Sequence, residues 1–367
     1  MSHYFIGIMS GTSLDSIDSV LVSFDTTFKL HGTYREAIPS DLKEKILRLT
    51  QPGQSEIEAL AHLDPLLGEI FASNARALLE KYAVAEKDII AIGCHGQTLR
   101  HYPEQGFSLQ AGDPNIICER TGILTIADFR RRDLASGGQG APLVPAFHDH
   151  LFRSDQQNRI IVNIGGMANL TFLPADPSAQ VLGYDSGPGN VLLDAWIHQH
   201  KQRHFDEHGD WANSGHIHTE LLQTLQSHDY FKLTPPKSTG REAFHLDWLE
   251  NVISTIATPI LPEDVQATLT ELTASSICDE IKRLEKDDKA DIFLCGGGAH
   301  NAFLKSRIEQ HLGRPTLKTD SLGLDADWVE ACAFAWLAWR TLHHKTGNLP
   351  DVTGAKGKRI LGGIYYP

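Results

Sequence analysis

Three short apolar runs of this 367-residue chain each lead directly into a glycine-containing turn. The first run, Tyr4 to Met9, enters Ser10-Gly11-Thr12-Ser13-Leu14-Asp15 and is followed by a second run from Ile17 to Val22, which predicts a β-hairpin. Backbone N–H groups and small hydroxyls in such a turn can surround a phosphoryl group, and an acidic residue can hold its magnesium through water. A turn of this composition is also often only a turn. No P-loop motif occurs, so that route to ATP is excluded.

The other two turns extend this pattern. Ile160–Ile164 leads into Gly165–Asn169 and then into the apolar run Leu170–Leu173, which again predicts strand, glycine turn and strand. Asp291–Cys295 leads into Gly296–Asn301 before a helical pattern, where glycines let the backbone approach a ligand at a helix N-terminus. Two hairpin turns followed by a strand-glycine-helix turn resemble the layout of the actin-like ATPase and sugar-kinase superfamily, in which ATP lies between two related domains.

A more specific resemblance is carried by seven segments that together span nearly the whole chain: Ile8–Asp15, Gly93–Thr98, Gln110–Pro114, Ala127–Asp133, Gly137–Pro145, Asn163–Asn169 and Asp185–Asn190. In these segments the chain resembles the anhydro-N-acetylmuramic acid kinase family. One position departs from the family, because Ser16 stands where its loop commonly has glycine. We therefore expect residue 16 to be less free to adopt a positive φ.

Asp185 is the candidate catalytic residue. It precedes a glycine-rich turn and a predicted helix, where a general base can be exposed, although aspartate also often only caps such turns. The resemblance implies that Asp185 activates a water that attacks the anomeric carbon of the 1,6-anhydro sugar, as the base of an inverting glycosidase does. The released 6-oxygen would then take the γ-phosphoryl group of ATP, with Mg²⁺ offsetting charge. The implied product is N-acetylmuramic acid 6-phosphate, which links the chain to peptidoglycan recycling.

Further positions are implied to bind ATP and its phosphates. They lie in the three glycine-containing turns and beside them: Gly11, Thr12, Ser13, Leu14, Asp15, Ser16, Ile17, Asp18, Asn163, Gly165, Gly166, Gly296, Gly297, Gly298 and Asn301. Among them, Asp15 is the candidate that holds Mg²⁺ through water.

Four residues are candidates for binding the sugar. His95 and Gln97, predicted at the end of a strand over Ile89–Gly93, can form directed hydrogen bonds to its oxygens, and Arg130 can pair with the lactyl carboxylate. Glu330, on a predicted amphipathic helix, is a second acidic candidate. A structural contact between domains is the alternative for the first three residues. A solvated glutamate at a helix N-terminus is the alternative for Glu330.

Charge and cysteine usage limit the partners and the compartment. The net charge of −13 argues against sequence-independent binding of nucleic acid or of an anionic membrane. Five cysteines without a C-x-x-C pair favour a reducing cytoplasm. The sequence shows no signal peptide, no membrane-spanning run and no metal-ligand cluster of histidines. The resemblance implies a homodimer.

The fold class predicted from these patterns is α/β, with two actin-like (ribonuclease H-like) domains flanking a nucleotide cleft. We expect residues 1–129 and 346–367 to form the first domain and residues 130–345 the second, with hinges near Phe129–Asp133 and Thr346–Thr353. The predicted helices cover residues 55–82, 191–200, 214–226, 246–257, 262–284, 302–312 and 327–343. A strand over Arg359–Tyr366 is expected to return to the first domain.

Two other functions are compatible with parts of the pattern. An ATP-gated binding protein of the actin or chaperone type would share the fold without phosphorylating a small molecule, and an actin-like kinase for a different sugar would share the chemistry. A dinucleotide-dependent oxidoreductase built on Gly296–Asn301 fits less well, because the G-x-G-x-x-G spacing is missing.

Overall fold

The computed structural model describes residues 3–11, 13–25, 27–285 and 289–367. The chain divides into two units: the first contains the residues up to Leu151 together with Trp328–Pro367, and the second contains Phe152–Asp327. The predicted phosphate ligand Thr12 lies outside the described residues.

The first unit is built on one sheet with helices from both ends of the chain. Its elements up to Phe152 are β1 (Tyr4–Ser10), β2 (Ser16–Ser23), β3 (Lys29–Ala37), α1 (Ser40–Thr50), α2 (Glu56–Tyr82), β4 (Ile89–Tyr102), β5 (Phe107–Ala111), α3 (Pro114–Thr121), β6 (Thr125–Ala127), α4 (Phe129–Leu134) and α5 (Pro145–Phe152). In this sheet β2 lies between β3 and β1 and is antiparallel to both. On the other side of β1 lie β4 and then β6, and each is parallel to β1.

The second unit has a sheet of its own. Its elements are β7 (Arg159–Ile164), β8 (Met167–Leu173), β9 (Leu182–Pro188), α6 (Val191–Lys201), α7 (Asp210–Ser214), α8 (Thr219–Gln226), α9 (Leu246–Ser254), α10 (Pro262–Glu285), β10 (Asp291–Cys295), α11 (Ala302–Leu312) and β11 (Leu317–Lys318). The strand order is β9-β8-β7-β10-β11, with β8 antiparallel to both neighbours and β10 parallel to β7 and β11.

Both sheets therefore have one topology. The first sheet has two additional strands, β5 and β12 (Gly363–Tyr365). When these two are left out and the remaining five strands of each unit are numbered along the chain, the order in both sheets is 3-2-1-4-5. In both, only the second strand is antiparallel to the first. This repeat confirms the predicted class of two α/β domains of the actin-like type. In the first unit β12 pairs with β6, so the expected return of the C-terminal strand is also confirmed, over a shorter range.

The division between units differs from the boundaries expected near residues 130 and 345. Residues 130–151 and 328–345 belong to the first unit, because α12 (Val329–Leu342) packs on β1 and β4. Glycines make this packing close: a Cβ at Gly7 would lie 2.0 Å from the carbonyl oxygen of Ala331, and one at Gly93 would lie 2.2 Å from that of Phe334. Glu330 is consequently a residue of the first unit.

Both segments expected to act as hinges also lie inside the first unit. The fully buried carboxylate of Asp133, in α4, accepts hydrogen bonds from Asn348 Nδ2 at 2.7 Å and from Thr353 Oγ1 at 2.9 Å. Thr353 ends α13 (Pro350–Thr353). The two segments are thus bonded to each other rather than placed at a junction between units.

Most predicted helices are present. One helix and one strand differ from their expected ranges. The helix expected over residues 214–226 begins only at Thr219, as α8, because Ser214 ends α7 and an irregular connection through Gly215 separates the two helices. The strand expected to end at Gly93 continues to Tyr102, so that His95 and Gln97 lie within β4. Within the described ranges, no helix is both long and apolar enough to span a membrane.

Candidate active site

The N-terminal hairpin has its predicted form. Its turn closes through a hydrogen bond from Leu14 N to Gly11 O at 3.3 Å, and the positive φ falls on Leu14 at 60°. Ser16 is already part of β2, so the absence of glycine there does not strain the turn. Leu14 and Ile17 are buried in the core of the first unit, so their side chains serve packing there rather than contact with a ligand. Gly11 and Ser13 are half-buried.

The two aspartates of this hairpin differ in their surroundings. Asp18 is held by both guanidinium arms of Arg35, at 2.7 and 3.1 Å, and by the Ser16 hydroxyl at 3.0 Å. The side chain of Asp15 is 46% exposed. Among the described residues it forms one ion pair, with Lys43 Nζ at 3.4 Å. Asp15, the predicted metal candidate, is therefore the more accessible of the two carboxylates. Among the described residues no group of three or more metal-ligating side chains converges.

Gln97 joins the hairpin to β4. Ser10 Oγ donates to Gln97 Oε1 at 2.6 Å, and both side chains are buried. The Gln97 amide group in turn donates to the carbonyl of Gly11 at 3.5 Å and to that of Thr98 at 3.2 Å. The side chain thus supports the turn from beneath, which is a structural role for a residue predicted to touch the sugar.

His95 and Arg130 form a second cluster in the same unit. The guanidinium group donates to His95 Nε2 from Nε at 3.2 Å and from Nη2 at 2.8 Å, and Nη1 donates to the Gly140 carbonyl at 2.8 Å. Because the guanidinium is always protonated, Nε2 must be the acceptor and the imidazole proton lies on Nδ1. Burial, and secondarily the Arg130 charge, lower the pKa of His95 well below its usual value. His95 is therefore a neutral imidazole with a defined tautomer.

Glu330 is placed near this cluster by α12. It lies in the first turn of that helix, one turn before Phe334, whose ring centroid is 4.6 Å from that of His95. Residues four apart lie on the same face of a helix. The structure thus brings His95, Arg130 and the Glu330 face of α12 together within the first unit.

The second glycine hairpin is joined to the start of α6. The Gly189 and Val191 N–H groups donate to Gly166 O at 2.9 and 3.1 Å, and Asn190 N donates to Gly165 O at 2.8 Å. The carbonyl groups of the β7–β8 turn are thus used internally. A Cβ on Gly165 would find its nearest atom, Met167 O, at 3.6 Å, so the protein itself leaves room beside this glycine.

The third turn packs against the second. A Cβ on Gly296 would lie 2.5 Å from Asn163 Oδ1, and one on Gly298 would lie 2.3 Å from Ile164 Cγ2. Those two glycines are required by packing, and Gly296 also has φ +77°. Gly297, between them, is exposed. A Cβ on Gly297 would find its nearest atom, Asn190 Nδ2, at 4.0 Å. Asn301 caps α11, because its Oδ1 accepts from Leu304 N at 2.9 Å.

Asp185 lies within β9 rather than at its end. The residue as a whole is 9% exposed, and its Oδ2 accepts a hydrogen bond from Thr239 N at 2.9 Å. Its main-chain N–H donates to Lys237 O at 3.2 Å, and its carbonyl accepts from the Tyr230 hydroxyl at 2.7 Å. These contacts hold the carboxylate in one orientation within a largely buried residue.

Strand register adds polar neighbours to Asp185. Asn163 pairs with Asn169 across β7 and β8, and Asn169 pairs with Asp185 across β8 and β9. Directly opposed residues share one face of a sheet. The polar side chains of Asn163, Asn169 and Asp185 therefore form a row across the three strands. Sequence reasoning missed Asn169 as a neighbour of Asp185. It also missed the contacts from Tyr230, Lys237 and Thr239, because they lie 45 to 54 residues further along the chain.

Comparisons with known proteins agree along the whole chain. Residues 3–367 match the family model described as "Anhydro-N-acetylmuramic acid kinase". A protein of that name from Saccharophagus degradans is 50% identical, with 99% of each chain covered. One from Shewanella denitrificans is 51% identical, with 99% of this chain and 98% of that protein covered. One from Coxiella burnetii is 48% identical, with 99% and 97% covered.

A solved structure is similar at much lower identity. The activator of the 2-hydroxyisocaproyl-CoA dehydratase from Clostridium difficile, with bound ADPNP, gives a TM-score of 0.49 at 14% identity and covers 93% of this chain and 96% of that chain. The strand order of the two sheets, rather than this distant likeness, is the basis for the fold class given above.

Proposed function

Because the chain belongs to the anhydro-N-acetylmuramic acid kinase family, we propose that it transfers the γ-phosphoryl group of ATP to the 6-oxygen of 1,6-anhydro-N-acetylmuramic acid while water opens the anhydro bridge. The resemblance predicted from the seven segments is confirmed, and the chain is a kinase. The products of the proposed reaction are N-acetylmuramic acid 6-phosphate and ADP. The observation that carries the proposal is the carboxylate of Asp185, which a hydrogen bond from Thr239 N orients in a residue that is 9% exposed.

Asp185 is proposed as the general base. It takes a proton from water as the water oxygen bonds to the anomeric carbon and the bond from that carbon to the 6-oxygen breaks. The electron pair of the broken bond stays on the 6-oxygen, which attacks the γ-phosphorus as ADP leaves. No separate acid is needed, since the phosphoryl group rather than a proton neutralises the leaving oxygen. The Thr239 N–H supports this role, because it holds one carboxylate oxygen and so orients the other.

The glycine turns are proposed to bind the phosphates. Gly11, Gly165 and Gly297 have space beside them that no protein atom fills within 3.5 Å, and none of the three has a positive φ. Neither packing nor backbone geometry therefore explains why these positions carry glycine. A close approach of phosphate oxygens to the backbone does explain it.

Mg²⁺ is proposed to accompany ATP, with Asp15 as its protein ligand through water. Mg²⁺ usually keeps several waters and takes one or two carboxylates together with the substrate phosphates. One exposed carboxylate in the hairpin turn fits that need, and a cluster of three is not required. The metal would offset charge on the phosphates.

The sugar is proposed to be recognised by the His95 and Arg130 cluster, with Gln97 beneath the hairpin and Glu330 on α12. A neutral His95 with its tautomer set by Arg130 provides directed hydrogen bonding without adding charge. Arg130 supplies the positive charge that a lactyl carboxylate would match. Asn163 and Asn301 are proposed to serve the nucleotide by shaping the loop at Gly296, since both side chains are already in contact with protein groups there.

We place the enzyme in peptidoglycan recycling in the cytoplasm, as a homodimer. The supporting observations are the family, the net charge of −13 and five cysteines that are all buried and unbridged. Sedimentation of the purified chain tests the dimer directly.

An ADP-release assay tests the proposed function. ADP should appear only when anhydro-N-acetylmuramic acid is present, and Asp185→Asn should lower turnover by about two to four powers of ten with little change in ATP affinity. Asp264→Asn is the matched control, because Asp264 also holds a main-chain N–H, that of His216, in the same unit. Sugar-independent ADP release would instead indicate an ATP-gated binding protein. Release only with another sugar would indicate a different substrate.

A further inference from the structure

Asp185 is held by one distant segment of the chain, residues 230–239. Tyr230 donates its hydroxyl to the Asp185 carbonyl, Lys237 accepts from the Asp185 N–H, and Thr239 donates its N–H to the carboxylate, at 2.7, 3.2 and 2.9 Å. The position of the proposed base therefore depends on where this segment lies. The segment contains no regular element longer than one short turn ending at Lys232, so it needs another anchor.

The anchor is a buried ion pair. Lys237 Nζ lies 2.8 Å from Glu280 Oε1, and the two side chains are 2% and 5% exposed. The same ammonium group lies over the Tyr230 ring, 4.9 Å from its centroid. Lys237 thus takes part in two of the contacts with Asp185. Its own carbonyl accepts from the Asp185 N–H, and its ammonium group packs on the Tyr230 ring, whose hydroxyl donates to the Asp185 carbonyl.

Glu280 holds the other side of the base as well. Its second oxygen, Oε2, accepts from the hydroxyl of Tyr184 at 3.0 Å, and Tyr184 directly precedes Asp185 in β9. Arg283 adds an ion pair at 3.2 Å from the same turn of α10. A single buried carboxylate on α10 therefore connects β9 to the 230–239 segment, and Asp185 lies between those two attachments.

A buried ion pair is weak evidence for added stability, because apolar residues of similar size often replace one without loss. Its geometric effect is better defined, since Glu280 holds Lys237 with one oxygen and Tyr184 with the other. We propose that Lys237 and Glu280 are positioning residues that fix the Asp185 carboxylate for proton abstraction. Neither exchanges a proton in the reaction. This inference rests on the proposed role of Asp185.

The test removes the pair without leaving a buried charge. Lys237→Met/Glu280→Met should stay folded and keep its KM for ATP, while kcat falls by about a hundredfold, the cost expected for a misplacement near 1 Å. The control is Arg307→Met/Glu271→Met, which removes another ion pair from the same helix, at 2.6 Å in the native chain. The control should lose thermal stability to a similar degree and keep kcat. Equal loss of kcat in both double variants would overturn the inference, because it would indicate a merely structural role.

A second variant decides the matter if the first does not fold. Tyr230→Phe removes only the hydroxyl that holds the Asp185 carbonyl and leaves the ion pair in place. It should lower kcat with an unchanged KM for ATP. Wild-type kcat in this variant would overturn the inference.

Product analysis on the same preparations separates this inference from the proposed function. If the wild-type chain forms no sugar 6-phosphate, or if Asp185→Asn remains active, the proposed function itself fails. If the wild-type chain forms the product, Asp185→Asn does not, and Lys237→Met/Glu280→Met matches its control, only the positioning role fails.

Discussion

Gly11, Gly165 and Gly297 differ from the other glycines of the candidate site in what surrounds them. Gly296 and Gly298 are required by contacts with Asn163 and Ile164, whereas the three open positions have room for a Cβ in the protein alone. At the residue scale, this difference separates glycines that the packing of the fold requires from glycines that it does not, and the latter are the ones proposed to meet phosphate. The sequence identified all five, but only the structure distinguishes them.

The first residue-scale prediction follows from that difference. Gly11→Val and Gly165→Val should abolish phosphoryl transfer, because each puts a side chain where phosphate oxygens approach the backbone. Thermal stability should change little, since a Cβ at either position meets its nearest atom at 3.9 or 3.6 Å. Turnover and ATP binding by calorimetry measure the effect.

Gly53→Val is the control for those variants. Gly53 lies in an exposed loop, and a Cβ there meets its nearest atom at 4.0 Å. It should retain full activity. ATP affinity and rate that stay at the wild-type level in Gly11→Val and Gly165→Val would place the nucleotide site elsewhere.

The second residue-scale prediction concerns pH. Burial, and then the Arg130 charge, lower the pKa of His101 from 6.5 to about 4. The unfolded chain therefore binds a proton at higher pH than the folded chain, and this histidine's contribution to stability, complete above pH 6.5, is lost as the pH falls toward 4. Between pH 7 and pH 5 the free energy of unfolding should fall by about 2 kcal/mol more in the wild type than in His101→Gln.

Denaturant unfolding at the two pH values measures that difference. Other titrating groups contribute equally to both proteins, so the comparison isolates His101. Glutamine can keep a hydrogen bond to Ser108, whose hydroxyl lies 2.9 Å from His101 Nδ1. An equal loss of stability in both proteins would show that His101 binds its proton as readily in the folded chain as in the unfolded chain, and so that its pKa is not lowered by folding.

At the scale of elements, the glycine-bearing connections were predictable and the long-range attachments were not. The two hairpins and the β10–α11 turn follow from local patterns of apolar runs and turn residues. The extension of β4 beyond Gly93 was not predicted, because polar His95 and Gln97 interrupt the apolar run. The pairing of Gln97 with Ser10 of β1 and with Ala111 of β5 depends on contacts that no local pattern encodes.

The buried carboxylate of Asp133 gives the element-scale prediction. It accepts from Asn348, Thr353 and the Gly140 N–H, and so joins α4 to the C-terminal segment that was expected to be a hinge. Asp133→Asn has one acceptor oxygen fewer, which leaves a buried donor unpaired and should lower the free energy of unfolding by about 1–3 kcal/mol. Hydrogen exchange across residues 346–353 should be slow in the wild type and faster in the variant.

Asp25→Asn, a change at an exposed aspartate of the same unit, should leave exchange in that segment unchanged. If residues 346–353 already exchange rapidly in the wild type, the attachment through Asp133 does not restrain them and the hinge expected from the sequence regains support.

At the scale of the whole molecule, the repeated 3-2-1-4-5 topology accounts for the paired glycine hairpins. Each hairpin joins the first two strands of its own sheet, β1 and β2 in one unit and β7 and β8 in the other. The sequence shows no strict repeat beyond these turns, because the two units differ in their helices and in the strands added to the first sheet. The division into units differs from the expected boundary for a related reason: α12 follows the second unit in sequence but packs on the sheet of the first.

The central claim is that water activated by Asp185 opens the anhydro bridge while ATP phosphorylates the released 6-oxygen. The most direct test is a mass spectrum of the product formed from anhydro-N-acetylmuramic acid and ATP in heavy-oxygen water. The account predicts one heavy oxygen, at the anomeric hydroxyl, and an unlabelled phosphate on the 6-oxygen, with no such product from Asp185→Asn. Label in the phosphate, or a phosphorylated sugar that keeps its anhydro bridge, would contradict it.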